Sequence, residues 1–245
     1  MHPAGSVILF TTLSGAGLGL LAWLSALALL GAAPPTPGFA LAAFGLALGL
    51  LSLGLVSSTF HLGRPERAWR ALTQWRSSWL AREGVAAAAV YLAAVPFAFV
   101  WLTLPGGGLF ASAAVATLLA ATVMVVCTAM IYASLKPIRQ WSNRWTAPFY
   151  LAAATASGGL LTVDLTLATA GFRPAFGGVA TGLIVLAGLV KRRYWRAIDA
   201  EAPRSTLASA TGLASYGEVR LLEPPHTAEN FVMREMGYRI ARKHA

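Results

Sequence analysis

The sequence has a single cysteine, Cys127, and only four histidines, His2, His61, His226 and His244. One thiol makes no intrachain disulfide and does not supply the four thiolates that an iron–sulfur cluster usually takes. Cys127 lies inside an apolar run and reads as a small hydrophobe in helix packing. A haem held between helices takes axial histidines from two spans, and only His61 stands at the end of one; His2, at the N-terminus, is a poor rigid ligand. No haem is therefore expected in this chain, and no Cys/His spacing points to zinc. No glycine-rich phosphate loop follows a strand, and no nucleophile–base pairing is evident. Charge is also scarce. Charged residues make up 11% of the chain, against about 25% in an ordinary soluble domain.

What is present is apolar. Hydrophobic residues make up 57% of the sequence and the mean hydropathy is +0.64. These values indicate a polytopic membrane protein of all-α fold. The formal net charge of +10, from 19 Lys and Arg against 9 Asp and Glu, is explained by basic loops on one side of a membrane. No basic stripe stands free of the apolar runs, so no nucleic-acid partner is expected.

Crossing the hydrocarbon core takes about 20 apolar residues. Six runs qualify: Val7–Ala32, Phe39–Leu62, Gly84–Leu104, Leu109–Ala133, Ala147–Gly171 and Phe176–Val190, the last short enough to continue toward Trp195. The first has no Lys or Arg before it and exceeds the usual core of a signal peptide, so it reads as a retained span. The short turns APPTPG and PGGG force antiparallel helical hairpins. The pairs Gly15/Gly19, Gly45/Gly49 and Gly178/Gly182 have the spacing that lets helix backbones approach closely. Every Lys and Arg except Arg173 then falls on one side, which sets both termini in the cytoplasm of a bacterial inner membrane. Residues 1–195 form the transmembrane domain and 196–245 a polar tail. The tail's last stretch, AENFVMREMGYRIARKHA, reads either as an interfacial helix on anionic lipid or as a docking surface for a cytoplasmic partner.

The chain is organised around Ser57–Gly84, SSTFHLGRPERAWRALTQWRSSWLAREG, where arginines interleave with Trp69, Trp75 and Trp79. Arg and Trp together suit a membrane–water interface. His61 titrates near physiological pH, Gly63 removes side-chain bulk, and Pro65 ends the helix. Arg64 and Glu83 supply charge nearby. A quinone head group needs hydrogen-bond donors for its carbonyl oxygens and two protons for its two-electron reduction, and this set of groups offers both. Each residue also has a plain alternative: a helix-end histidine for His61, and a carboxylate favoured by the helix dipole for Glu83. Asp164, late in the fifth run, is best read as a snorkelled or paired carboxylate beside Arg173.

Two segments, SSTFHLGRPERAWRALTQWRSSWLAREG and MIYASLKPIRQW, resemble the membrane anchor subunits of the DMSO reductase family, with HLG-x-P the specific part. The end of the tail, ENFVMREMGYRIARKHA, resembles the cytoplasmically oriented branch that has sulfite-oxidising relatives. The resemblance implies a helix bundle, without haem of its own, that anchors an iron–sulfur subunit and a molybdopterin catalytic subunit. Such an anchor is not catalytic for the complex's substrate; it exchanges electrons with ubiquinone or menaquinone. Iron–sulfur clusters and molybdopterin belong to the partners. By the same resemblance the quinone-binding histidine falls on His61, flanked by Gly63 and Arg64, the acid of the next helix on Glu83, and a tyrosine before the following loop on Tyr132. Arg67, Arg76, Lys136, Arg139 and Arg144 form the expected platform for the iron–sulfur subunit. Anchors of this family usually have eight spans, so either this branch is shorter or two further helices follow. The charge count favours cytoplasmic partners and sulfite oxidation; the alternative is an anchor that oxidises quinol for DMSO or another reductase. A small transporter is the rival class; the lack of paired broken helices in matching halves and the few polar residues at mid-membrane depth argue against it.

Overall fold

The structure is a computed structural model that describes residues 5–34, 36–60, 64–136, 138, 140–171, 174–200 and 206–223. It is all-helical, with no strand among the described residues. Among the described residues six helices are long and apolar enough to cross a membrane: α1 (Gly5–Leu29), α2 (Pro37–Thr59), α3 (Trp79–Thr103), α4 (Gly107–Ala133), α5 (Thr146–Thr169) and α6 (Pro174–Ala200). At about 1.5 Å per residue each exceeds the roughly 30 Å hydrocarbon thickness.

Helix ends follow local chemistry. Pro37 occupies the first turn of α2, where a missing N–H costs nothing. The PGGG turn places Gly106 and Gly107 at φ 103° and 76°, a region that favours glycine. Ser78 caps α3, its side chain accepting from the Ala81 amide at 3.4 Å. That cap starts α3 at Trp79 rather than at the expected Gly84, so Glu83 lies inside the helix instead of opening it. Similarly, α6 runs on past Val190 through the basic residues. Between α2 and α3 the chain forms a 3-10 helix, Pro65–Gln74, that packs on α3 through Leu72 beside Gly84.

The chain divides into two units, Ala4–Tyr194 and a second made of Met1–Pro3 with Trp195–Ala245. In the first unit α1 is the central helix, packed against α2, α4 and α5, while α3 pairs mainly with α4 and more lightly with α2. Glycine makes two of these approaches possible. A Cβ on Gly19 would collide with the Ala154 carbonyl of α5, and one on Gly158 with the Gly19 backbone. On the other side of α1, Gly17 faces the Ala47 carbonyl and Gly54 faces Phe10 and Ser14. Of the six glycines expected at close approaches only Gly19 lies at one; Gly15, Gly45, Gly49, Gly178 and Gly182 face open space. Glycines four positions apart are common in so glycine-rich a chain, and packing selects by helix face. Trp23 adds a hydrogen bond from Nε1 to the Thr155 carbonyl, 2.9 Å. An aromatic cluster of Phe39, Phe44, Phe97, Trp101 and Phe110 fills the end of the bundle away from Glu83. Ala180 is the one buried residue of α6 among those described.

In the second unit α7 (Leu207–Thr211) is capped by reciprocal bonds between Thr206 and Ser209, and Gly212 ends it at φ 69°. The 3-10 turn Ala214–Tyr216 follows.

Candidate functional site

Glu83 follows the first turn of α3, on the face turned toward α4. It is 4% exposed. Thr128 of α4, also 4% exposed, donates its hydroxyl proton to Glu83 Oε1 and alternatively to the Met124 carbonyl at 3.1 Å. A buried carboxyl needs a hydrogen-bond partner, and α4 supplies it from an otherwise apolar stretch. Among the described residues no Lys or Arg lies within ion-pair distance of Glu83. The adjacent Arg82 turns outward, donating to the Trp75 and Arg76 carbonyls at 2.9 and 2.7 Å and lying 4.2 Å over the Trp79 ring.

One turn beyond Thr128 on the same face is Tyr132. Its ring stacks on Tyr150 of α5, 5.7 Å between centroids, and meets Trp141 edge-on at 5.2 Å. Both tyrosines are half-buried. The α4–α5 loop holds this wall in place. Ile138 is buried, Thr146 Oγ1 donates to the Trp141 carbonyl at 2.6 Å, and Asn143 Oδ1 accepts from the Trp145 amide at 2.8 Å.

Two cavities meet along Thr11, Phe149 and Tyr150. The first, about 320 Å³, lies among α1, α4 and α5 and reaches Thr128, so it adjoins the buried acid. The second, about 250 Å³, is walled by Tyr132, Trp141, Thr146, Tyr150, Lys191 and Tyr194. The antiparallel order of the helices sets both at the end of the bundle that carries the basic loops. Mostly apolar and aromatic walls with a few convergent hydroxyls describe a small-molecule site. Those walls fit a flat ring with carbonyl oxygens: aromatic faces for the ring, Tyr and Thr hydroxyls for the oxygens.

The residues singled out from sequence fall into three groups. Glu83 and Tyr132 come together at this cluster. Arg64, Arg67, Arg76, Lys136 and Arg144 are exposed at the same end of the bundle. There Arg76 lies 5.4 Å over Trp75, Arg70 5.5 Å over Trp69, and Arg144 5.7 Å over Trp145. His61, Gly63 and Arg139 lie outside the described residues, as does Arg173, the neighbour expected for Asp164; Asp164 itself is exposed on α5. Thr128, Tyr150 and Lys191 were not legible as site residues. The i, i+4 spacing of Thr128 and Tyr132 was a usable signal, since it puts both on one helix face. Nothing local marks Tyr150 or Lys191.

Comparison with known proteins gives a concordant result. The sequence model of the family described as "DMSO reductase anchor subunit (DmsC)" matches residues 1–192. The C subunit of the sulfite dehydrogenase of Allochromatium vinosum is 37% identical over 207 residues, covering 78% of this chain and 64% of the relative. The chain thus aligns with a little under two thirds of that relative's length. No solved structure matches.

Proposed function

The chain belongs to the DMSO reductase anchor subunit family, and from that premise we propose that it is the quinone-reactive membrane anchor of a molybdopterin/iron–sulfur oxidoreductase. The observation that carries the reading is the buried Glu83–Thr128 pair beside the Tyr132/Tyr150 cavity, at the end of the bundle that bears the basic loops. Quinone supplies the two-electron, two-proton redox chemistry.

The residues of this chain bind, orient and handle protons. Tyr132 and Tyr150 present hydroxyls and ring faces at the cavity wall. Glu83, buried and hydrogen-bonded to Thr128, is a proton-bearing group next to it. His61, which follows α2 in sequence, is the proposed donor to the head group, with its sequence neighbours Gly63 and Arg64. The basic loops at this end support a cytoplasmic orientation for it; protons then enter from the cytoplasmic side and the reaction moves little charge across the membrane. Electrons arrive directly from a docked iron–sulfur subunit. Arg67, Arg76, Lys136, Arg139 and Arg144 form its platform, and the assembly is completed by a molybdopterin subunit.

The substrate is proposed from the relative and from orientation. The relative is named for sulfite dehydrogenase, and the charge asymmetry fits partners on the cytoplasmic face. Sulfite oxidation with electron flow into the quinone pool is the preferred direction; quinol oxidation for a reductase partner is the alternative.

The test compares two activities of the assembled complex. Glu83→Gln keeps an acceptor for Thr128 and removes the exchangeable carboxyl proton, His61→Ala removes one charge-assisted hydrogen bond worth roughly 1.5–3 kcal/mol, and each lowers quinone-linked turnover at least about tenfold. Activity with an artificial acceptor at the catalytic subunit stays at the wild-type level. Full quinone-linked activity in both variants overturns the reading.

A further inference from the structure

Lys191, Arg192 and Arg193 follow one another on α6, and in sequence they are equivalent cytoplasmic-side charges. The structure separates them. Arg192 and Arg193 are exposed, whereas Lys191 is half-buried and turned toward α5. Its Nζ lies 4.2 Å from the Phe149 ring centroid and 6.0 Å from that of Tyr194. It lines the cavity of about 250 Å³ with Tyr132, Trp141, Tyr150 and Tyr194, and it is the one ionisable cation among the described residues of that wall. The Tyr194 hydroxyl, donating to the Gln140 carbonyl, ties this stretch of α6 to the α4–α5 loop and fixes where Lys191 stands.

We propose that Lys191 is a head-group-binding residue of the quinone site, its ammonium group donating a hydrogen bond to one ring oxygen. The proposal rests on the quinone reading above and adds α6 to a site otherwise built from α1, α3, α4 and α5. Aromatic faces attract an ammonium by cation–π interaction, and an ammonium carries three donors on a flexible stem. The site is then asymmetric. A buried carboxyl, Glu83, lies on the α3–α4 side of the Tyr132–Tyr150 pair, and a cation on the α6 side. Two ring oxygens bound on those two sides meet different groups. Lys191 stabilises negative charge that develops on its oxygen whenever electrons arrive before protons, a preorganised electrostatic role.

The test uses the full chain in lipid nanodiscs and a short-chain naphthoquinone, with binding followed by quenching of tryptophan fluorescence, since Trp141 lines the same cavity. Lys191→Met weakens the Kd by at least about tenfold, the loss of one charge-assisted bond. Lys191→Arg stays within about threefold because a donor cation is retained, and Arg192→Met binds like wild type. A Lys191→Met protein that binds as tightly as wild type overturns the proposal and leaves the quinone reading standing. A wild-type chain that binds no naphthoquinone sinks both. A second measurement needs no variant: photolabelling of the wild-type chain by an azido-naphthoquinone marks the segment containing Lys191 and Tyr194. Label confined to the α2–α3 segment around His61 refutes the role of Lys191 even if Lys191→Met does not fold.

Discussion

Thr128 of α4 and Glu83 of α3, 45 residues apart in sequence, form a hydroxyl–carboxyl pair that is closed off from solvent. Replacing Thr128 by Val keeps the shape and removes the donor. An unsatisfied buried polar group costs about 1–3 kcal/mol, so Thr128→Val lowers the melting temperature in detergent and reduces quinone-linked turnover. Thr128→Ser, which restores the hydroxyl, recovers most of both. Equal stability and turnover in Thr128→Val and wild type show that the pair contributes nothing.

Helix approach makes a prediction that discriminates among glycines. Gly19→Leu and Gly158→Leu force α1 and α5 apart, because each side chain meets backbone rather than the end of a flexible side chain. Overpacking of this kind costs about 1–3 kcal/mol, occasionally more. Gly15→Leu and Gly45→Leu point into open space and leave thermal stability within about 0.5 kcal/mol of wild type. A uniform response across the four variants contradicts the helix faces assigned here.

The docking platform is tested by charge reversal. Arg139→Glu with Arg144→Glu places like charge where an iron–sulfur subunit is proposed to sit, and the expected result is release of that subunit into the soluble fraction. The bundle itself stays in the membrane, since Arg144 is exposed and lies over its own neighbour Trp145. Unchanged retention of the partner moves the contact elsewhere on the surface.

Sidedness is tested by reporter fusions. In the orientation proposed from the distribution of Lys and Arg, the loops after α1, α3 and α5 face outside. Fusions after Pro105 and after Phe172 read as periplasmic, and a fusion at Ala245 reads as cytoplasmic. A periplasmic signal at Ala245 reverses the orientation and restores a reductase facing away from the cytoplasm as the leading assignment.

The amino-acid sequence by itself determined the helix count and where the charge lies. Runs of apolar residues long enough to span a bilayer leave the backbone no alternative to helix, because every N–H and C=O must be satisfied within the segment. The HLG-x-P segment and the stretch around Tyr132 also carried the family resemblance. Tertiary structure decided which side chains meet. The Ser78 cap moved the start of α3 back by more than a turn and put Glu83 inside the bundle. Packing of α3 on α4, rather than mainly on α2, then gave that acid Thr128 as its partner. Helix rotation chose Gly17, Gly19, Gly54 and Gly158 for close approach over glycines with the same spacing. It also turned Lys191 inward while its neighbours Arg192 and Arg193 stayed out. Such choices depend on which face of one helix meets another, and a sequence this uniformly apolar carries little amphipathic signal to specify a face.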